Sequence, residues 1–408
     1  MKVLNINGFS VLYCQTPHDR ITVKVLVEAG SINEMTPQQY GVAHYLEHVF
    51  FKGTTSKPAA KLMLDLSRLG EQNAFTSNDR TGFYINTVRD NMAIAADLLC
   101  EMMFESVIPP SEFDKERNVI LEEIQTGLDN PSRYFWNNAI EQVFGQQGHR
   151  IIGSIDSVSK LSVGDLMNFR NKYYAKNNML FIVAGNVSEV EVTDSFEKAL
   201  RRGIHAPEKA SLEVLENAIS FVADEYHFNH ASEQAQFAIS MRGPSYAEQK
   251  AMKNIDIVFE NGFAGGMHSI LFSKVREELG LCYQLGVSNF DVGTKYSTFI
   301  YSQMNKDNVG KARDAIQSEF DKVCQQGFPD ELLSVAKDNA MYQYAGIFES
   351  AVGVGSMTAD MFLSGTYDLN DANYAYFRDK IRNTTNDEII KYANWLKEDG
   401  SRFICMNG

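Results

Sequence analysis

Apolar and polar residues alternate through the opening stretch MKVLNINGFSVLYC and again through ITVKVLVEAG, the period of two that marks half-buried strands. The pattern then lengthens. PQQYGVAHYLEHVFF and KPAAKLMLDLSRLG carry apolar residues at helical spacing, the second closed by Gly70. NAFTSNDRTGFYINTV returns to alternation and predicts two strands around Ser77, Asn78 and Asp79. Three long helical stretches follow, NMAIAADLLCEMMFES, SEFDKERNVILEEIQTGL and SRYFWNNAIEQVFG. Ser162 caps a further helix, and NMLFIVAGNV supplies another strand. The first half therefore reads as an α+β unit.

RRGIHAPEKASLEV, residues 201–214, is polar, poor in large apolar residues and contains Pro207, so it marks a boundary. Beyond it the outline repeats. AQFAISMRGPSYAEQ runs like ITVKVLVEAGSINEM: strand, small-residue turn, helix. LSVGDLMNFRNKYYAKNNMLFIVAGN and TTNDEIIKYANWLKEDGSRFICMNG each read as a capped helix, a short turn and a strand. The expected organisation is two related domains, residues 1–203 and 218–408, about a linker at 204–217. Two unrelated α+β domains are the alternative.

At 408 residues the chain is long enough for two or more cores. Its 44% apolar and 22% charged residues are ordinary for a soluble globular protein. A formal net charge of −14 argues against nucleic acid or an anionic membrane as the main partner. The five cysteines, Cys14, Cys100, Cys282, Cys324 and Cys405, are dispersed and read as reduced, mostly buried thiols. No apolar run approaches the roughly 20 residues of a membrane helix. The N-terminus opens as strand, without the charged and apolar regions of a signal peptide. A cytoplasmic or otherwise intracellular protein is expected.

One stretch carries chemistry: GVAHYLEHVFFKG. On a helix, His44 and His48 at i and i+4 share a face. Two imidazoles at that spacing can bind one zinc ion, and catalytic zinc takes a third protein ligand and keeps a place for water. Glu47 sits beside that face, placed to take a proton from this water. HxxEH reverses the zincin motif HExxH and is the inverzincin signature. The bland alternative is an amphipathic helix bearing two histidines and a solvated glutamate. A third ligand is sought in ERNVILEEI, which offers Glu116, Glu122 and Glu123. At about 100° per residue, Phe113, Glu116, Ile120, Glu123 and Ile124 form one stripe, and Glu122 points roughly opposite Phe113. Carboxylates on a buried stripe are costly unless paired or metal-bound, so Glu123 is the expected ligand. Glu116, two turns earlier, either orients a ligating histidine or serves a structural salt bridge.

At this point the chain resembles the pitrilysin/insulinase group of inverted zinc metallopeptidases, which includes the mitochondrial processing peptidase and its bacterial relatives. In that group HxxEH is followed, at the spacing seen here between His48 and Glu123, by a liganding glutamate. GVAHYLEHVFFKGT, ERNVILEEI, NAFTSNDRT and HRIIGSIDSVSKLS all look like the group's surroundings, and the likeness runs over nearly the whole chain. It implies two domains, each a mostly antiparallel sheet packed with helices, and one Zn2+ per chain held by His44, His48 and Glu123.

The resemblance also implies how substrate is handled. NAFTSN matches an edge strand that pairs with the peptide substrate through main-chain hydrogen bonds, which assigns Asn73, Ala74 and Phe75 to substrate binding. An ordinary internal strand is the alternative. In NGFAGGMHSILFSKVREELGLCYQLG, Gly262, Gly265 and Gly266 precede a helix ending at Gly280. Neither nucleotide-loop pattern is present there. Arg276 and Tyr283 match the group's pair that contacts substrate and the tetrahedral intermediate, where a donor near the oxyanion is useful chemistry. Otherwise Arg276 pairs with Glu277 or Glu278 and Tyr283 is a core aromatic.

Members of the group enclose a chamber built from four such domains. This chain holds two, yet carries both the zinc motif and the Arg/Tyr pair, so a homodimer is expected, with a heterodimer containing an inactive homologue as runner-up. The function implied is a zinc endopeptidase cutting peptides or unfolded presequence-like segments. The alternatives are a non-catalytic structural subunit of the core-protein kind and a maturation protease dedicated to one precursor peptide.

Overall fold

The computed structural model describes residues 1–210, 224–243, 246–293, 295–365, 373–398 and 400–407. The opening alternation folds back on itself. β1 (Lys2–Ile6) and β2 (Phe9–Gln15) form a hairpin turned at Asn7 and Gly8, whose φ of 52° and 86° suit the Asn-Gly loop. Then come β3 (Arg20–Val27), α1 (Val42–Val49), α2 (Ala59–Leu69) and a second hairpin, β4 (Glu71–Thr76) with β5 (Thr81–Val88). The helices α3 (Met92–Glu105), α4 (Pro110–Asp129), α5 (Pro131–Phe144), α6 (Ile155–Lys160) and α7 (Val163–Tyr173) lead to β6 (Met179–Gly185) and α8 (Glu189–Ala199). Ser162 caps α7 as expected, its hydroxyl accepting from Asp165 N–H.

The second half begins with β7 (Glu225–Asn229), β8 (Ala235–Arg242) and α9 (Tyr246–Phe263). A π-helical stretch, Phe272–Glu278, precedes β9 (Gln284–Val292) and β10 (Lys295–Met304). The helices α10 (Val309–Gln326), α11 (Asp330–Ile347), α12 (Ala351–Ser364), α13 (Tyr374–Arg382) and α14 (Asn386–Glu398) run to β11 (Ser401–Asn407).

Two sheets result, with strand orders β1-β2-β6-β3-β5-β4 and β7-β11-β8-β10-β9. Without β1 they are the same sheet twice. β6 lies parallel to β2 and antiparallel to β3; β11 lies parallel to β7 and antiparallel to β8. All other pairings are antiparallel, so the α+β architecture read from the pattern stands. Every residue of β6 is buried, as a strand covered on both faces must be.

The compact units do not follow the chain continuously. One comprises the described parts of Met1–Gly127, His149–Glu216 and Ile347–Ala372, the other those of Leu128–Gly148, Asn217–Gly346 and Asn373–Gly408. The expected division into 1–203 and 218–408 is therefore crossed by two exchanged segments, and 211–217 of the expected linker lies outside the described residues. In the first unit, Ala351, Val354 and Ala359 of α12 pack on Leu12, Cys14, Leu26, Leu180, Ile182 and Ala184 of the sheet. In the second, Trp136 of α5 meets Phe290, Phe299 and Tyr301 with ring centroids 5.0, 5.7 and 5.2 Å away. The apolar stripe of a helix states that it needs cover but not which sheet provides it. All five cysteines are free, and only Cys282 is not buried. Among the described residues, no helix is long and apolar enough to cross a membrane.

Candidate metal centre

α1 is a short helix of eight residues. Val42, Ala43, Tyr45, Leu46 and Val49 are buried, while His44, Glu47 and His48 stand half-buried on its other side. Its start admits only glycine: Gly41 has φ +91°, and a Cβ there would lie 2.6 Å from the Ile152 carbonyl oxygen. Tyr45 docks α1 on α4. Its ring stacks on Phe113 at 4.7 Å and 4°, and its hydroxyl donates to the Phe113 carbonyl.

On α4 the buried residues are Phe113, Glu116, Ile120, Ile124 and Gly127, with Glu123 half-buried beside them and Glu122 exposed. The helical phase expected from the sequence is the one observed. Glu123 Oε2 lies 3.9 Å from Nε2 of His44 and 3.9 Å from Nε2 of His48. Donor atoms of His44, His48 and Glu123 all fall within 4.8 Å of one another, the one such group able to hold a metal among the described residues.

Two nitrogens and a carboxylate oxygen fit zinc. Around a tetrahedral zinc such atoms stand roughly 3.4 Å apart, near the two 3.9 Å separations from Glu123. The electrostatics fit as well. Burial, with His48 beside it, pushes the His44 imidazole down to about 3, so the ring is neutral and one ring nitrogen has its lone pair available. His44 Nδ1 is buried without a hydrogen-bond partner among the described residues. Glu116 accepts both roles left open for it: Oε2 lies 3.1 Å from Nδ1 of His48, and Oε1 lies 2.7 Å from Nζ of Lys52. It thus fixes the ring through the nitrogen that does not face Glu123.

Glu47 is held from another element. The Thr76 hydroxyl at the end of β4 donates to Glu47 Oε2 at 2.6 Å. Burial raises the Glu47 carboxyl above its ordinary range; Thr76 and His48 pull it down, and Glu123 pushes it up. β4 is the last strand in its sheet, so one of its edges has no strand partner among the described residues. Asn73, Ala74 and Phe75 lie on it opposite Tyr84, Phe83 and Gly82. Gly82 makes room for Phe75: a Cβ on Gly82 would come within 2.4 Å of the ring.

Arg276 and Tyr283 belong to the second unit and meet each other. The Arg276 guanidinium lies over the Phe272 and Tyr283 rings, 4.5 and 4.9 Å from their centroids, with Glu277 at 3.8 Å from its Nε. Tyr283 is 80% exposed and so is no core aromatic. Of the glycines before this stretch, Gly262 is part of α9 and packs against the Phe328 ring. Sequence reasoning missed Thr76, Lys52, Glu34 and His149. All four stand inside stretches quoted for other reasons, but only tertiary contact gives a hydroxyl, an ammonium or a remote carboxylate its partner.

A duplicated α+β frame with one histidine–glutamate cluster in its first half is the architecture of the inverted zinc metallopeptidases. The chain matches "Insulinase (Peptidase family M16)" over residues 10–150 and "Peptidase M16 inactive domain" over residues 160–340. It belongs to peptidase family M16, the insulinase family. An uncharacterized zinc protease of Bacillus subtilis, YmxG, is 28% identical over 341 residues, 81% of this chain and 80% of that one. An uncharacterized zinc protease of Rickettsia felis is 26% identical over 331 residues, 80% of this chain and 79% of that one. The crystal structure of a protease from Helicobacter pylori shares the fold with a TM-score of 0.89 at 20% identity, covering 100% of this chain and 99% of that one.

Proposed function

We propose that the protein is a zinc-dependent endopeptidase that hydrolyses peptides or unfolded, presequence-like segments. The observation that carries this reading is the convergence of His44, His48 and Glu123 beside a glutamate whose carboxylate is already oriented by Thr76. His44, His48 and Glu123 would hold one zinc ion per chain. When bound, zinc supplies Lewis acidity that polarises a peptide carbonyl and makes water a better acid.

The chain's own residues do the rest. The free edge of β4 takes an extended peptide by main-chain hydrogen bonds, along Asn73, Ala74 and Phe75. Glu47 Oε1, the oxygen not engaged by Thr76, accepts the proton of the attacking water and passes it to the leaving amine. Tyr283 Oη and the Arg276 guanidinium donate to the oxyanion as it develops. In this reading two copies pair into a closed chamber, and each copy lends Arg276 and Tyr283 to the other; a heterodimer with an inactive homologue is the lesser option. The presence of all four motif residues disfavours a purely structural subunit. Digestion of a mixed peptide library with and without chelator, read by mass spectrometry, tests the proposal. Chelator-sensitive cleavage that Glu47→Gln abolishes is expected. Cleavage indifferent to both would overturn it.

A further inference from the structure

α1 has no side-chain cap of its own, since Gly41 occupies the N-cap. Yet two of the donors at its start are satisfied from a distance. Glu34 Oε2 accepts from Gly41 N–H at 2.8 Å, and Glu34 Oε1 accepts from Ala43 N–H at 2.9 Å. A third partner is His149, whose Nε2 lies 2.8 Å from Glu34 Oε2. The side chains of Glu34 and His149 are 0% and 4% exposed. The His149 ring stacks on Tyr40, with centroids 3.6 Å apart and planes 12° apart. Behind them, a Cβ on Gly153 would lie 2.5 Å from the Tyr40 carbonyl oxygen. The stretch HRIIGS, which the chemistry above leaves unused, is therefore wrapped around the entrance to the metal helix.

A fully buried carboxylate is expensive unless its bonds are complete, and a helix this short has little stability of its own. Both facts point to one role. The Glu34 carboxyl closes the start of α1 from both oxygens and grips the N–H of Ala43, the residue before His44. We propose that Glu34, fixed by His149, is a positioning residue for the metal centre: it sets how α1 presents His44 and His48 to Glu123. The proposal rests on the reading of His44, His48 and Glu123 as zinc ligands. It assigns to Glu34 a function at the metal rather than a share of general stability.

The test uses the full-length protein and its variants Glu34→Gln and His149→Gln. Zinc affinity is measured by competition with a chromogenic chelator, and the visible spectrum of the cobalt(II)-loaded protein reports ligand geometry. Circular dichroism confirms folding at the temperature used. The expected result is a 10–100-fold loss of zinc affinity in folded Glu34→Gln, with altered cobalt bands, and a smaller loss in His149→Gln. Folded Glu34→Gln with wild-type affinity and spectrum would overturn the proposal. Where Glu34→Gln does not fold, His149→Gln decides in the same way. Wild-type protein that binds neither metal overturns the zinc reading itself, an outcome distinct from wild-type binding that the variants preserve.

Discussion

Thr76 and Glu47 are joined by a 2.6 Å hydrogen bond from the hydroxyl of an edge strand to the carboxylate of the HxxEH helix. The bond ties the edge strand proposed to take substrate to the carboxylate proposed to take a proton from water, and it engages one of the two Glu47 oxygens. Thr76→Val keeps the shape and removes the donor. It should lower kcat about 10-fold with KM nearly unchanged, the order expected for losing one hydrogen bond to a charged group. Thr76→Ser should restore most of the rate. Steady-state kinetics on one cleaved peptide decide, and an unimpaired Thr76→Val would remove the hydroxyl from the mechanism.

Metal and chemistry separate by substitution. His48→Ala should lose bound zinc, measured by elemental analysis. Glu47→Gln should keep about one equivalent while hydrolysis falls by at least about 100-fold. Full zinc content in His48→Ala would refute the ligand set.

Glu116 touches His48 Nδ1 and Lys52 but lies outside the donor cluster. Glu116→Gln should weaken zinc binding about 10–100-fold without abolishing it, as losing the partner of a ligating histidine does elsewhere. Chelator competition measures this. Complete loss of zinc would make Glu116 a ligand rather than a support.

Complementation probes the shared site. Mixed dimers of Glu47→Gln and Tyr283→Phe would hold one site with both defects and one with neither, if Tyr283 acts on the partner's metal. Mixing the two inactive proteins should then restore up to about half the wild-type rate per mixed dimer. No recovery, with subunit exchange shown by tagged chains, would place Tyr283 in its own chain's site or outside catalysis.

The second unit offers a pH test. Burial pushes the Glu260 carboxyl up to about 7, partly offset by the Asn289 amide that donates to it. The folded chain therefore holds this proton more tightly than the unfolded chain, so stability falls as pH rises from the unfolded value through about 7. Glu260→Gln should raise stability at pH 8 by on the order of 2–3 kcal/mol and by much less at pH 5. Equal gains at the two pH values, in denaturant titrations, would contradict the shift.

Much of this was legible from period and phase. The stripe on α4 separated Glu123 from Glu122 because a helix exposes neighbouring residues to different surroundings. The likeness of the chain's halves appears as one strand order used twice. What escaped was whatever depends on an unrelated stretch of chain. The first alternation concealed a hairpin, although Asn7-Gly8 was a readable turn signal. Thr76, Lys52, Glu34 and His149 are ordinary polar residues until the fold supplies their partners. Likewise, nothing in the small-residue helix α12 or in α5 indicates that each covers the sheet of the other half.

That exchange bears on how the molecule can be made. A ribosome releases the chain from its N-terminus, and the first sheet has all its strands once Gly185 has emerged. Its Leu12, Leu26, Leu180 and Ile182 face nevertheless waits for α12, whose last residue is Ser364. The residues of the candidate metal centre are thus synthesised long before the layer that completes their scaffold. Gene fragments cut at the polar boundary would leave that face bare to water, where it invites aggregation. Maturation of the first unit is a late event in translation, whatever the order of its residues suggests.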